Sequence, residues 1–258
     1  MSLKGDVLAL LFEYLIHPDI DLTAVQELYP EKKELVIAAN NLFKFNATTW
    51  TIESSLKHLL DPTTTVYQKV IYCAKHGFIS ALKWIDAAYH VTPEIVRERS
   101  NYALRSSVRY GQVEMVKYLT AQYGLTAEDA RQDNKCILLA VKSKKPEMVR
   151  LLQTDLQLER HDVLNQIEGI FSLIISQDLG EILQILKSHY KITMADLRGT
   201  GGYFLHPFLL YNRLGLLKIL HSVFGMSREH LKGQTIKLAE DKEAEAILQW
   251  FYVTYDIS

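Results

Sequence analysis

Three basic residues fall in step along the chain: Lys75, Arg109 and Lys142 recur at an interval that changes by a single position. His76, Tyr110 and Ser143 follow them one position later. Guanidinium and ammonium groups make charge-assisted bonds to carboxylates, and a tyrosine ring supplies rigid contact area, so such a row suits an acidic segment of a partner protein. A solvated helix face would carry the same residues, and spacing alone does not separate the two. Other candidates for chemistry are weaker. Cys73 and His76 form a C-x-x-H that could present two zinc ligands from one helix, but a zinc site takes a second pair and Cys136 is the only other thiol. A small thiol in a slot that suits alanine explains Cys73 equally well. GTGG at 199–202 has the glycine density of a phosphate cradle, without the Lys-Ser/Thr that completes a P-loop. Neither H-E-x-x-H nor G-x-S-x-G occurs. No catalytic residue, cofactor site or metal site is assigned.

The elements that would hold the basic row in line follow from a repeat. The interval from Gly77 to Gly111 returns, to within one position, from Glu114 to Glu147, from Glu147 to Glu181 and from Glu181 to Gly215. Apolar pairs keep the same phase: Ala81/Leu82, Met115/Val116, Met148/Val149, Ile182/Leu183 and Leu216/Leu217. A period of about 33–34 thus runs over 67–235. Each unit predicts a first helix, a glycine or polar break where φ > 0 is cheap, and an antiparallel second helix. A hydrophobic-hydroxyl pair follows, as Val91-Thr92, Leu125-Thr126, Ile192-Thr193 and Met226-Ser227. Thr126 with Asp129, and Thr193 with Asp196, have capping-box spacing, so the connectors should hold a short helical turn.

NYALRSSVRYGQVEMVKYL resembles an ankyrin repeat, whose pattern is T-P-L-H-x-A-A-x-x-G-H followed by an E-V-V-K-x-L-L helix. Leu104 takes the Leu position, Ser107-Val108 the small pair, Gly111 the glycine, and Glu114-Met115-Val116-Lys117 the second-helix signature. Cys73-Ala74 with Gly77, and Ala140-Val141 with Glu147-Met148-Val149-Arg150, match in the flanking units. The wording is similar to the divergent repeats of amoeba-associated viruses and intracellular bacteria. The resemblance implies an all-α or mostly-α solenoid of stacked helix pairs with little or no β, which binds another protein on a concave face, as an adaptor or a host-directed effector. It also implies that His206, in YFLHP, hydrogen-bonds the backbone of neighbouring turns. The sequence departs from the pattern where Lys144 and Asp178 replace the glycine and Phe208-Leu209 the small pair, which should hold those helices further apart. Pro207 requires its helix to begin there.

The whole of 1–258 reads as one domain, with degenerate repeats and a cap over 1–66, repeats over 67–235 and a cap over 236–258, to which Trp50 and Trp250 belong. The apolar positions of MSLKGDVLALLFEYL fall at helical spacing, with Asp6 and Glu13 among them, which favours an amphipathic helix over a signal peptide. A net charge of −1 gives no global field for nucleic acid or an anionic membrane. Two cysteines are too few for a disulfide framework and fit a reducing, cytoplasmic setting. A monomer that binds a partner protein is the expectation. The alternatives are an enzyme or effector with an unrecognised catalytic pocket, and an oligomerisation module.

Overall fold

The structure is a computed structural model that describes residues 58–256 apart from 60, 62, 199–203, 232 and 243. The amphipathic N-terminal helix, the degenerate helix pair within 34–60 with Trp50, and the GTGG segment lie wholly or largely outside the described residues. Among those described, all regular structure is helical and there is no strand. The chain divides into two compact units between Leu125 and Thr126.

The first unit holds α1 (Val66–His76), α2 (Ile79–Tyr89), α3 (Pro93–Arg109) and α4 (Val113–Tyr123). Thr65 starts α1 through a capping box: its hydroxyl accepts from the Gln68 amide at 3.2 Å, and Gln68 Oε1 accepts from the Thr65 amide at 2.9 Å. The buried face of α1 carries Tyr67, Val70, Cys73 and Ala74, and α1 packs on both α2 and α3, which in turn packs on α4. Helix α3 is broken within its span. Glu98 is extended, and Arg99, Ser100 and Asn101 are left-handed, so 93–97 is a connector turn and 102–109 the first helix of the next repeat.

The second unit runs α5 (Ala127–Arg131), α6 (Cys136–Lys142), α7 (Pro146–Thr154), α8 (Arg160–Leu164), α9 (Ile167–Gln177), α10 (Gly180–Ser188), α11 (Met194–Arg198), α12 (His206–Leu210), α13 (Leu214–Phe224), α14 (Gly233–Asp241) and α15 (Glu245–Tyr255). Within it α6, α9, α12 and α14 pack in succession, as do α7, α10 and α13, while α6–α7, α9–α10, α12–α13 and α14–α15 pair. The in-phase apolar pairs of both units are buried, each large side chain contributing about 1.5–3 kcal/mol. The hydroxyl of Ser107, buried in the small-pair position, is satisfied by the Ala103 carbonyl at 3.0 Å. Pro207 sits in the first turn of α12, where its missing N–H costs nothing.

The repeat is written into the backbone twice. The break inside each helix pair is a left-handed residue at 77, 111, 144, 178 and 212, and a second left-handed residue follows the second helix at 90, 124, 157, 191 and 225. Both series advance with the period of the sequence. In the first, Lys144, Asp178 and Asn212 take the conformation that Gly77 and Gly111 adopt freely, at a cost of about 1–2 kcal/mol for a residue with a Cβ. Lys144→Gly should therefore raise stability by about 0.5–1 kcal/mol, and Gly111→Ala lower it by about 1–2 kcal/mol, measured by denaturant unfolding.

The connectors are short helical turns, as their sequence predicts. Val91, Leu125, Ile192 and Met226 are buried, and the next residue stands at the N-cap of the turn. Thr126–Asp129 and Thr193–Asp196 both form capping boxes, and Glu159–Asp162 makes one in which a carboxylate replaces the hydroxyl. Successive connectors of the second unit are then tied by Arg131–Asp162 and Arg160–Asp196 ion pairs. Burial alone would raise the Asp196 pKa, but hydrogen bonds from Arg160 and Thr193 outweigh it and hold the carboxyl below its usual range. Its folded pKa thus lies below the unfolded one, so the stabilisation is complete at neutral pH and is lost as pH falls through the folded value. Asp196→Asn should flatten the loss of melting temperature below about pH 4 relative to the parent chain.

Candidate functional site

The C-terminal edges of the first helices position the candidate residues. In the first unit Lys75 and His76 close α1, Arg109 closes α3, and Tyr110 is its C-cap. Lys75 Nζ lies 5.2 Å from the centre of the Tyr110 ring and Arg109 Cζ 5.9 Å from it, so two cations bracket one aromatic ring. Tyr110 is 46% exposed. No carboxylate among the described residues lies within ion-pair distance of Lys75 or Arg109. This edge can therefore receive an anion without first breaking an internal pair.

Gln112 fixes the arrangement. Its Nε2 donates to the Lys75 carbonyl at 3.1 Å, satisfying one of the orphan acceptors at the end of α1. Its Oε1 occupies the place of the Cβ that Gly77 lacks: a side chain there would come within 2.6 Å. The glycine thus serves both the left-handed turn and the close approach of the next repeat. The second unit repeats the device in another chemistry, where Arg213 follows the left-handed Asn212 and donates to the carbonyls of Ile175 and Ser176 at 2.9 and 2.7 Å.

Lys142 and Ser143 belong to the second unit. Lys142 is exposed at the end of α6. The Ser143 hydroxyl donates to the Ala140 carbonyl at 2.6 Å and accepts from the Lys145 amide at 3.3 Å, so its side chain closes the helix. At the equivalent edge of α12, Leu210 and Tyr211 are exposed.

His76 is only partly exposed and stacks on Phe78. Burial, followed by the charges of Lys75 and His58, holds its pKa below the ordinary histidine value. Cys73 is fully buried, and burial pushes its thiol well above the usual range, away from the thiolate a metal requires. Cys136 is also buried. No group of three or more metal-ligating side chains occurs among the described residues. His206 is exposed at the first position of α12, and among the described residues its ring has no hydrogen-bond partner, in contrast to the structural role its place in the repeat implies. Among the described residues no helix is long and apolar enough to cross a membrane.

Comparison with known proteins gives no match: no protein-family model, no curated protein and no solved structure resembles the chain at a significant level.

Proposed function

We propose that the chain is a divergent ankyrin-like solenoid that acts as a protein-binding adaptor, monomeric and intracellular, and that its first unit captures an acidic or mixed-charge segment of a partner protein. The fold reading is supported by helix pairs and left-handed breaks that recur with one period, with short helical connectors between them. The observation that carries the binding reading is the pair of cations, Lys75 and Arg109, set against the exposed Tyr110 ring with no carboxylate among the described residues within ion-pair distance of them. Helix packing and the Gln112 clasp order this edge before any partner arrives, so binding loses little conformational entropy on this side. In the second unit, Lys142 is an exposed cation at the corresponding end of its own first helix.

Affinity capture from the native cellular context, read by mass spectrometry, tests the reading. A partner enriched on the parent chain should be lost from Lys75→Glu/Arg109→Glu/Lys142→Glu while circular dichroism stays helical. Retention of that partner on the variant would sink the proposed site, and no enrichment over a repeat-scrambled control would sink the adaptor reading.

A further inference from the structure

Beside the two cations, four rings run in contact along the first unit. His58 lies 4.5 Å from Tyr72, Tyr72 4.5 Å from His76, and His76 5.4 Å from Phe78, centre to centre. Tyr72, Lys75 and His76 are spaced i, i+3 and i+4 on α1, which places rings and cation on one face. All four rings are partly exposed. Burial and the charge of Lys69, opposed by Asp61, hold His58 below the ordinary histidine pKa, as burial, Lys75 and His58 do for His76. At neutral pH the His58 and His76 rings are accordingly uncharged, so the strip beside the Lys75 side chain is largely apolar.

We propose that this strip receives an aromatic side chain adjacent to the acidic residue of the partner, so that the ligand of the first unit is an acidic-aromatic peptide segment. The inference rests on the acidic-segment reading above and adds the chemistry of the neighbouring position. Charge complementarity selects the carboxylate, and the rings select what lies beside it. Single-stranded nucleic acid also combines anions with aromatic groups, but bases stack on open ring faces. Here His58–Tyr72 and Tyr72–His76 are tilted by 34° and 40° and His76 stacks on Phe78 at 20°, so the rings turn faces toward one another and leave edges that suit an edge-to-face side-chain contact.

Fluorescence anisotropy with the full chain tests this using three labelled probes: a short glutamate-rich peptide containing one phenylalanine, the same peptide with serine in its place, and an oligothymidine of equal length. The phenylalanine peptide should bind about tenfold more tightly than the serine peptide, the effect of one well-placed anchor. Tyr72→Ala should abolish that difference. His76→Gln, a milder change on the same strip, should reduce it severalfold even where Tyr72→Ala does not fold by circular dichroism. Equal affinity of the parent chain for the two peptides overturns the inference and leaves the acidic-segment reading standing. Absence of binding by both peptides overturns both. Tighter binding of oligothymidine than of either peptide overturns the inference in favour of nucleic acid.

Discussion

Replacing Asp162 with alanine should destabilise the second unit by about 3 kcal/mol, the largest effect expected of a single polar side chain described here. The carboxylate is 6% exposed and accepts three hydrogen bonds, from Arg131 Nε at 2.9 Å, a second Arg131 nitrogen at 3.2 Å and the Glu159 amide at 2.7 Å, with His161 Nε2 a further 3.2 Å contact. Alanine leaves the Glu159 N–H at the start of α8 without its acceptor. It also leaves Arg131, whose side chain is 24% exposed, with the exposed Glu128 as its ion-pair partner. Breaking a buried pair from one side costs about 3–5 kcal/mol, and the partial exposure of Arg131 places the expectation at the lower end. Asp162→Asn, which keeps the acceptor and removes the charge, should cost about half as much. Urea unfolding should show a lowered midpoint with an unchanged slope.

That pair was not legible in the sequence, although its surroundings were. The period could be found from Gly77, Gly111 and the glutamates because glycine and the second-helix signature recur in register. The capping boxes at Thr126 and Thr193 could be found because both members are local in sequence. Glu159–Asp162 has the same geometry without the hydroxyl that signals it. Arg131–Asp162 joins residues 31 apart and appears only when one connector is set beside the next. The left-handed ends of the second helices are visible as glycine only at 124 and 225, since His90, Gln157 and Lys191 adopt the conformation with no mark in their residue type. There the surrounding helices fix the backbone and override local preference.

The candidate site divides in the same way. The period places Lys75 and Arg109 at one helix edge, and the structure adds that both approach the Tyr110 ring. Gln112 had no signal of its own; the clue was Gly77, whose missing side chain makes room for it. Ser143 matched the row by number, but a serine at a helix end readily bonds back to the preceding carbonyls, and it does so here. Tyr72, on the face of α1, and Phe78, at the N-cap of α2, carry no signal of their own, because an aromatic beside a helical apolar pattern reads as core until its exposure is known.

The second large effect concerns binding. Lys75→Glu with Arg109→Glu converts two attractions into two repulsions at the edge that receives the partner. Exposed pairs contribute about 0.2–1 kcal/mol each, so reversing both should amount to about 2–3 kcal/mol, or about a hundredfold in affinity at low salt. Salt should shrink the difference, because Arg109 is exposed and Lys75 partly exposed, so solvent ions screen both. Tyr110→Ala removes the ring they share and should cost about five- to tenfold with little salt dependence, since the lost contact is mainly apolar.

Calorimetric titration of a glutamate-rich peptide into the parent chain and the Lys75→Glu/Arg109→Glu variant, at low and high salt, measures this most directly. Binding by the parent chain that weakens with salt, together with a loss of about a hundredfold in the variant at low salt, is the predicted result. Equal affinity of the two chains, or binding by the parent chain that does not respond to salt, would contradict the assignment of this edge as the partner site.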